Sequence, residues 1–315
     1  MGFVYALIAL GYTMVYGIIR LINFAHGDIF MVGAFVGVLG YTAWGLPFPV
    51  AVAVSMIVCA VAGVVIERLA YRPLRYAPRI AALISAIGVS IFLEYFCSLK
   101  FVFGPNYRVV TRPFEVTTFT VGGANVTNIQ VVVAVVVLAL LAGLQYMLYR
   151  TRIGKAMRAV SQDHDAARLM GINVDSVISV TFGIGSALAA AGGVLYAVAY
   201  PQIWPFLGIM PGLKAFTAAV LGGIGSVPGA VQGAIIMGQV DVLSAAYVSS
   251  AFRDAIGFSI LIIVLLVRPT GLLGSRQREK VKTRPTNLEV KVSSLPAGGC
   301  FSRRSWSPST SSPGS

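Results

Sequence analysis

The sequence predicts an all-α, polytopic membrane protein with about eight to nine transmembrane helices and two broken-helix motifs. Of its 315 residues, 57% are hydrophobic and only 11% are charged, and the mean hydropathy is +0.82. A soluble domain carries roughly 25% charged residues. Several apolar runs reach the roughly 20 residues that cross a bilayer core. These runs are continuously apolar, which excludes the alternating pattern of a membrane β-barrel.

The net charge of +13 is concentrated in the loops and near the C-terminus. This distribution is typical of residues that orient a protein against the inner membrane surface, so we expect a lipid bilayer and no nucleic acid as partner. The three cysteines are Cys59, Cys97 and Cys300. They show no CxxC or Cys/His spacing, so the sequence predicts neither a disulfide framework nor a metal site.

The first half of the chain contains five predicted spans, at residues 2–19, 29–44, 50–66, 80–99 and 129–149. A loop with four arginines separates the third span from the fourth, which predicts that this loop is cytoplasmic: Arg68, Arg72, Arg75 and Arg79. The loop at 101–128 is then external. Its alternating stretch at 115–121 predicts a short hairpin.

A polar segment at 150–171 follows the fifth span, and its five basic residues place it in the cytoplasm: Arg150, Arg152, Lys155, Arg158 and Arg168. It also has the pattern of a short helix. Ser161 is the predicted N-cap, and Asp163 and Asp165 lie in the first turn, where the helix dipole favours anions. Gly171 is the predicted stop. We interpret this helix as a surface offered to a partner protein.

The second half contains a span at 174–199, a long apolar region at 206–246 and a last span at 252–267. The long region is interrupted at 222–229 by glycines and a proline, which break helices. A full reversal at this break predicts nine segments, with the N-terminus outside and the C-terminus inside. A re-entrant bend would lower the count.

The chain divides into a membrane domain at 1–274, which includes the cytoplasmic segment at 150–172, and a tail at 275–315. Lys, Arg, Ser, Pro and Gly dominate the tail. Such a composition does not bury enough apolar surface to offset chain entropy, so we expect the tail to be disordered.

The first candidate site is the junction of the first two spans, with Asn23, Phe24, His26 and Gly27. Polar side chains and a glycine in a tight turn are able to line a substrate path, because irregular backbone at membrane depth is tolerated only beside protein or water. An ordinary interfacial turn is the alternative. In that case Asp28 caps the second helix and His26 faces the lipid headgroups.

The second candidate site is the break in the second half, with Gly222, Gly223, Gly225 and Ser226. Interrupted hydrophobic segments in both halves of a chain point to the central site of a transporter. Alternatively, the small residues around the break serve only close helix packing.

Asp241 is the candidate for ion coupling, because a carboxylate inside a span is expensive and usually functional. The alternative is an aspartate that is hydrogen-bonded at a helix interface. The sequence contains no phosphate loop, no HExxH and no Gly-x-Ser-x-Gly motif. We therefore predict no catalytic residue, no cofactor and no enzymatic activity.

Two sets of motifs resemble known families. The run Asp165-Ala166-Ala167, followed after three residues by Gly171, resembles the cytoplasmic EAA-type loop of ABC importer permeases. Residues 23–28 and 212–226, with the runs 5–19 and 81–88, resemble the branched-chain amino-acid permease of the LivH type. The likeness extends from about 5 to 274. Members of that family begin further upstream, so the present start is expected to clip the first helix. The tail has no counterpart in the family, so it is either a lineage-specific extension or out-of-frame translation.

This resemblance implies the permease subunit of an ATP-driven importer in the bacterial inner membrane, which translocates leucine, isoleucine and valine into the cytoplasm. It implies cytoplasmic ATPase subunits, a second permease subunit (LivM-like or another copy of this chain) and a periplasmic substrate-binding protein. It also implies that six residues couple the permease to the ATPase: Asp165, Ala166, Ala167, Leu169, Met170 and Gly171. Within this set, the expected contact face consists of Ala166, Ala167, Leu169 and Met170. Urea, amide or aromatic-acid permeases of the same family remain alternatives, as does a secondary transporter or channel coupled through Asp241.

Overall fold

The structure is a computed structural model, and it describes residues 1–19, 21–75, 77–121, 124–268 and 270–274. The predicted disordered tail at 275–315 lies outside these described residues.

Helices form most of the described chain. The α-helices are α1 (Gly2–Ile19), α2 (His26–Thr42), α3 (Phe48–Ile66), α4 (Arg79–Ser98), α5 (Asn128–Arg150), α6 (Arg152–Gln162), α7 (His164–Leu169), α8 (Val174–Ala199), α9 (Ile209–Gly222), α10 (Val227–Tyr247) and α11 (Arg253–Val267). A π-helix (Glu67–Tyr71) continues α3, and a 3-10 turn (Ser250–Phe252) precedes α11. The strands are β1 (Arg108–Val109), β2 (Thr118–Val121), β3 (Ala124–Thr127) and β4 (Gln202–Ile203).

The predicted all-α membrane architecture is confirmed. Seven of the described helices are long and apolar enough to cross a membrane. The two remaining predicted segments are shorter helices, α2 with 17 residues and α9 with 14 residues. Every predicted segment is therefore helical. The second predicted span starts earlier than expected, since α2 begins at His26 and not at residue 29.

The external loop at 101–128 contributes strands to two antiparallel pairs. The predicted hairpin forms between β2 and β3, with Thr118 opposite Thr127, so that the alternating stretch supplies only its first strand. Helix α5 follows directly, and its start is closed by a capping box in which Thr127 N donates to Gln130 Oε1 at 3.1 Å. The second pair joins β1 to β4.

Helices α1 and α8 form the centre of the bundle and are buried along most of their lengths. Helix α8 packs against α1, α2 and α3, while α1 also packs against α9 and α10. Small residues permit these close approaches; a Cβ added to Gly33, for example, would overlap Ala190 of α8. Helices α4, α5 and α11 are peripheral and expose large apolar side chains such as Ile84, Val135 and Ile262. An exposed apolar surface of this kind suits contact with lipid.

Candidate functional site

The turn between α1 and α2 holds the first group of candidate residues. Asn23 is buried, with 2% exposure, and its Oδ1 accepts a 2.7 Å hydrogen bond from the Tyr71 hydroxyl at the end of the π-helix. Its Nδ2 is also buried and has no hydrogen-bond partner among the described residues. This turn is therefore locked to the third span by one bond and keeps one free donor inside the protein.

His26 does not face the lipid headgroups, so that part of the interfacial-turn interpretation is wrong. Its side chain is buried between α1 and α8, and its ring lies 4.9 Å from the ring of Tyr12. The missing side chain of Gly11 creates this space, because a Cβ there would overlap the imidazole. Asp28 likewise lies within the first turn of α2 and does not cap it; the Ser90 hydroxyl of α4 donates to its carboxylate.

Gly27 brings the first turn against the second half of the chain. A Cβ at Gly27 would lie 2.6 Å from the carbonyl oxygen of Gly208 and 3.2 Å from the Cα of Gly212. Only glycine allows this approach of α2 to the start of α9. The ring of Phe24 adds a contact to Phe216 of α9, at 6.1 Å between centroids.

The chain reverses direction at the break between α9 and α10, and because α9 has only 14 residues, the choice between a full span and a re-entrant segment stays a prediction. Helix α9 ends at Gly222, and Gly223 follows with a φ of 103°, which only glycine adopts without strain. The Ser226 hydroxyl caps α10 by accepting a hydrogen bond from the Gly229 amide at 3.3 Å. The two helices then run antiparallel in contact, since a Cβ at Gly233 would lie 2.7 Å from the Gly222 amide nitrogen.

The two breaks lie side by side. A Cβ at Gly17, near the end of α1, would lie 3.6 Å from the Cα of Gly225. Between the breaks is a small open cleft with no charged side chain in its lining, which consists of Tyr12, Tyr16, Ile22, Phe216, Ala219 and Ile224. Phe24, Gly27 and Gly225 thus surround the junction of the two halves. Asn23 and His26 lie instead in the helix interfaces behind it.

Asp241 is fully buried in α10 and has two close partners. Lys214 Nζ of α9 lies 2.8 Å from its Oδ1, and the Tyr5 hydroxyl of α1 donates to its Oδ2 at 2.9 Å. This geometry agrees with an aspartate at a helix interface and gives no support to ion coupling. Lys214 was not among the predicted site residues, although a lysine inside an apolar run is a signal for such a partner.

The polar segment at 150–171 forms two helices, and the predicted N-cap is wrong. Ser161 lies inside α6, where its hydroxyl donates to the carbonyl of Arg158. Helix α6 starts earlier than expected because Thr151 caps it by accepting from the Gly154 amide. Asp163 is the N-cap of α7, and its Oδ1 accepts from the amides of Asp165 and Ala166 at 2.9 and 3.1 Å. The carboxylate thus has the capping position that had been assigned to the serine.

The predicted stop at Gly171 is confirmed. Its φ is 79°, and the amides of Gly171 and Ile172 donate to the carbonyls of Arg168 and Ala167, as in a Schellman motif. Leu169 and Met170 are 89% and 82% exposed. Ala166 is exposed as well.

One residue of the predicted contact face lies on the other side of α7. Ala167 is only 4% exposed, because its side chain faces the neighbouring helices. Its carbonyl accepts the hydrogen bond that closes the end of α7. The surface that α7 presents to solvent therefore contains Ala166, Leu169 and Met170.

These features define a polytopic integral membrane protein of the permease class, with its two helix breaks side by side and a capped helix pair outside the bundle. The family model described as "Branched-chain amino acid transport system / permease component" matches residues 1–265. The chain belongs to this family.

Several relatives are similar over nearly their whole length. The high-affinity branched-chain amino acid transport system permease protein LivH of Escherichia coli is 44% identical, covering 89% of this chain and 94% of the relative. BraD of Pseudomonas aeruginosa, described in the same words, is 42% identical with the same coverage. A probable LivH of Methanocaldococcus jannaschii is 30% identical over 85% of this chain and 88% of the relative. No solved structure matches the chain.

Proposed function

We propose that this chain is the membrane-spanning subunit of an ATP-driven importer that moves leucine, isoleucine and valine into the cytoplasm of a bacterial cell. Its relatives LivH and BraD carry branched-chain amino-acid transport in their names and align with nearly all of the membrane domain. The structural observation that carries the proposal is α7, which is capped at both ends and exposes Leu169 and Met170. Apolar side chains this exposed on a polar, predicted cytoplasmic segment suit a partner surface.

Cytoplasmic ATPase subunits are the proposed partners of α7. The sequence has no phosphate loop of its own. Closure of the ATPases on ATP would move α7 as a rigid body, because hydrogen bonds satisfy both of its ends. Each nucleotide state shifts the inward–outward equilibrium only by the difference in its contact energy with the two conformations.

A second permease subunit, LivM-like or another copy of this chain, is proposed to complete the pathway. The cleft between the two breaks has a volume of only about 10 Å³. That is about the space needed for one water molecule, and far less than an amino acid requires. The cleft lies at the surface of the bundle, so a facing subunit would provide its second wall. A periplasmic binding protein would deliver the amino acid from outside and supply most of the selectivity.

Transport assays in right-side-out membrane vesicles test the proposal. We expect uptake of radiolabelled leucine to depend on ATP and to survive collapse of the proton gradient. Unlabelled isoleucine and valine should compete, whereas urea and amides should not. Uptake that survives ATP depletion but stops with the proton gradient would overturn the proposal. Competition by urea, but not by isoleucine or valine, would show that the substrate belongs to a different class.

The role of α7 has its own test. Met170→Asp places a charge on the proposed ATPase contact, so we expect co-purification of the ATPase and leucine uptake to fall together by at least about tenfold, the loss of one interface anchor. Val109→Asp is the matched control, because Val109 is also 82% exposed but lies in the predicted external loop. Equal effects of the two substitutions, or none from Met170→Asp, would contradict the assignment.

A further inference from the structure

A cluster of charged and polar side chains links the start of α8 to the end of α3. The Arg75 guanidinium contacts two carboxylates, those of Glu67 in the π-helix and Asp175 in the first turn of α8, the second at 2.5 Å. The Glu67 side chain is fully buried and also accepts a 2.6 Å hydrogen bond from Ser179 of α8. A buried carboxylate is tolerated only with such partners, so Glu67 holds these two segments together.

The π-helix connects this cluster to the turn between α1 and α2, which contains Asn23. The Arg72 amide donates to the Glu67 carbonyl at 2.8 Å, an i to i+5 bond that inserts one extra residue into the turn. One residue corresponds to a rotation of about 100° around a helix axis. With this rotation the Tyr71 ring is fully buried 5.2 Å from Phe182 of α8, and its hydroxyl bonds to Asn23.

A continuous path of side-chain contacts and short backbone segments therefore runs from the end of α7 to the turn between α1 and α2. Gly171 ends α7, and Asp175 lies four residues further on, in the first turn of α8. From there two ion pairs lead through Arg75 to Glu67, the backbone of the π-helix joins Glu67 to Tyr71, and the Tyr71 hydroxyl reaches Asn23. These contacts join the proposed ATPase surface to one of the two breaks at the cleft.

Two donors along this path are buried without partners among the described residues: Arg75 Nε and Asn23 Nδ2. A buried donor without a partner is unfavourable and needs an explanation. A second arrangement of the same side chains that uses these donors would be accessible from the present one. Coupling between distant sites requires an element with two discrete arrangements.

We infer that Glu67, Tyr71 and Arg75 are positioning residues that transmit the movement of α7 to the Asn23 turn. This inference rests on the proposed function, because it takes α7 as the part that ATPases move. When α7 shifts, Asp175 carries Arg75 with it, and the π-helix moves the hydroxyl that holds Asn23. The cleft at the helix breaks then changes its width with the nucleotide state.

Tyr71→Phe tests the relay, because it removes only the hydroxyl that reaches Asn23. In the complete transporter we expect leucine uptake per ATP hydrolysed to fall by roughly 3- to 30-fold, the usual range for mutations along a coupling network. ATP hydrolysis and the amount of folded protein should stay unchanged. Arg72→Gln is the matched control: it also removes a contact to Asp175, but both side chains are about half exposed, so uptake should not change.

A second readout does not depend on the cargo. A cysteine introduced by Ile22→Cys lies in the cleft lining, and its maleimide labelling rate should differ between nucleotide-free and vanadate-trapped transporter. Tyr71→Phe should reduce this difference by a similar factor. Arg75→Gln should do the same, and the two together should have little further effect, since residues in one network act non-additively.

An unchanged labelling difference in Tyr71→Phe would overturn the relay. The relay would also be overturned if the effects of Tyr71→Phe and Arg75→Gln on the labelling difference multiplied in the double variant. The same holds if uptake and ATP hydrolysis both fell in proportion to the amount of folded protein. The unaltered transporter could instead show no leucine uptake but a nucleotide-dependent labelling rate that Tyr71→Phe reduces. This result would support the relay and contradict the proposed substrate.

Discussion

Removal of the lysine in the α9–α10 interface is expected to destabilise the bundle strongly. Lys214 is 4% exposed, and its Nζ lies 2.8 Å from Asp241 and 2.7 Å from Asp254. In Lys214→Met the buried Asp241 keeps the Tyr5 hydroxyl at 2.9 Å and Arg253 at 3.8 Å. Breaking a buried ion pair costs about 3–5 kcal/mol, and these remaining partners favour the lower end, about 3 kcal/mol.

Thermal unfolding in detergent, followed by size-exclusion chromatography, measures this effect. The double variant Lys214→Met with Asp241→Leu should recover most of the loss, because no charge then remains buried without its partner. Asp254→Asn is the control, since Asp254 is 46% exposed and its ion pair should contribute less than about 1 kcal/mol.

A Lys214→Met protein as stable as the unaltered chain would refute this reasoning. The same series also distinguishes a structural from a proton-coupling role of Asp241. A proton-coupling role would be favoured by proton-driven uptake in the unaltered protein that Asp241→Asn abolishes without loss of stability. We expect Asp241→Asn to reduce stability and leave the energy source unchanged.

Single substitutions test the packing of α9 on α10 and the cap of α7. Gly233→Ala should destabilise the protein by about 1–3 kcal/mol through overlap with Ala218, whereas Gly88→Ala, at a site with no neighbour within 4 Å, should be neutral in the same thermal assay. Equal melting of both variants would contradict the close α9–α10 packing. Asp163→Ala should cost α7 about 1 kcal/mol and raise amide exchange across 164–170 about fivefold, unlike Ser161→Ala. Matching exchange in the two variants would show that the cap is misassigned.

The positions of the spans were predictable because hydropathy is a local property. A helix inside a bilayer satisfies its own backbone hydrogen bonds, so about 20 apolar residues specify a span whatever lies next to them. The break at 222–229 was predictable for the same reason, because glycine and proline disfavour a helix locally. The reversal at this break needed the structure, since it depends on contact between α9 and α10.

Local patterns failed where two residues compete for one role. Ser161 and Asp163 are both favourable N-cap residue types, and the predicted cap, Ser161, was the wrong one. The choice depends on how far α6 continues, which its packing against α5 and α8 influences. The inward orientation of Ala167 and the burial of His26 arise in the same way, from helices that pack on them.

The sequence by itself determined the class of protein, the order of its apolar helices and the location of its breaks. The tertiary structure alone decided which polar groups neutralise one another inside the bundle. Tyr5 and Asp241 are 236 residues apart in the chain, and Arg75 and Asp175 are 100 apart. Because a buried charge is stable only when a partner lies within a few ångströms, such pairs are set by helix packing and not by spacing along the chain.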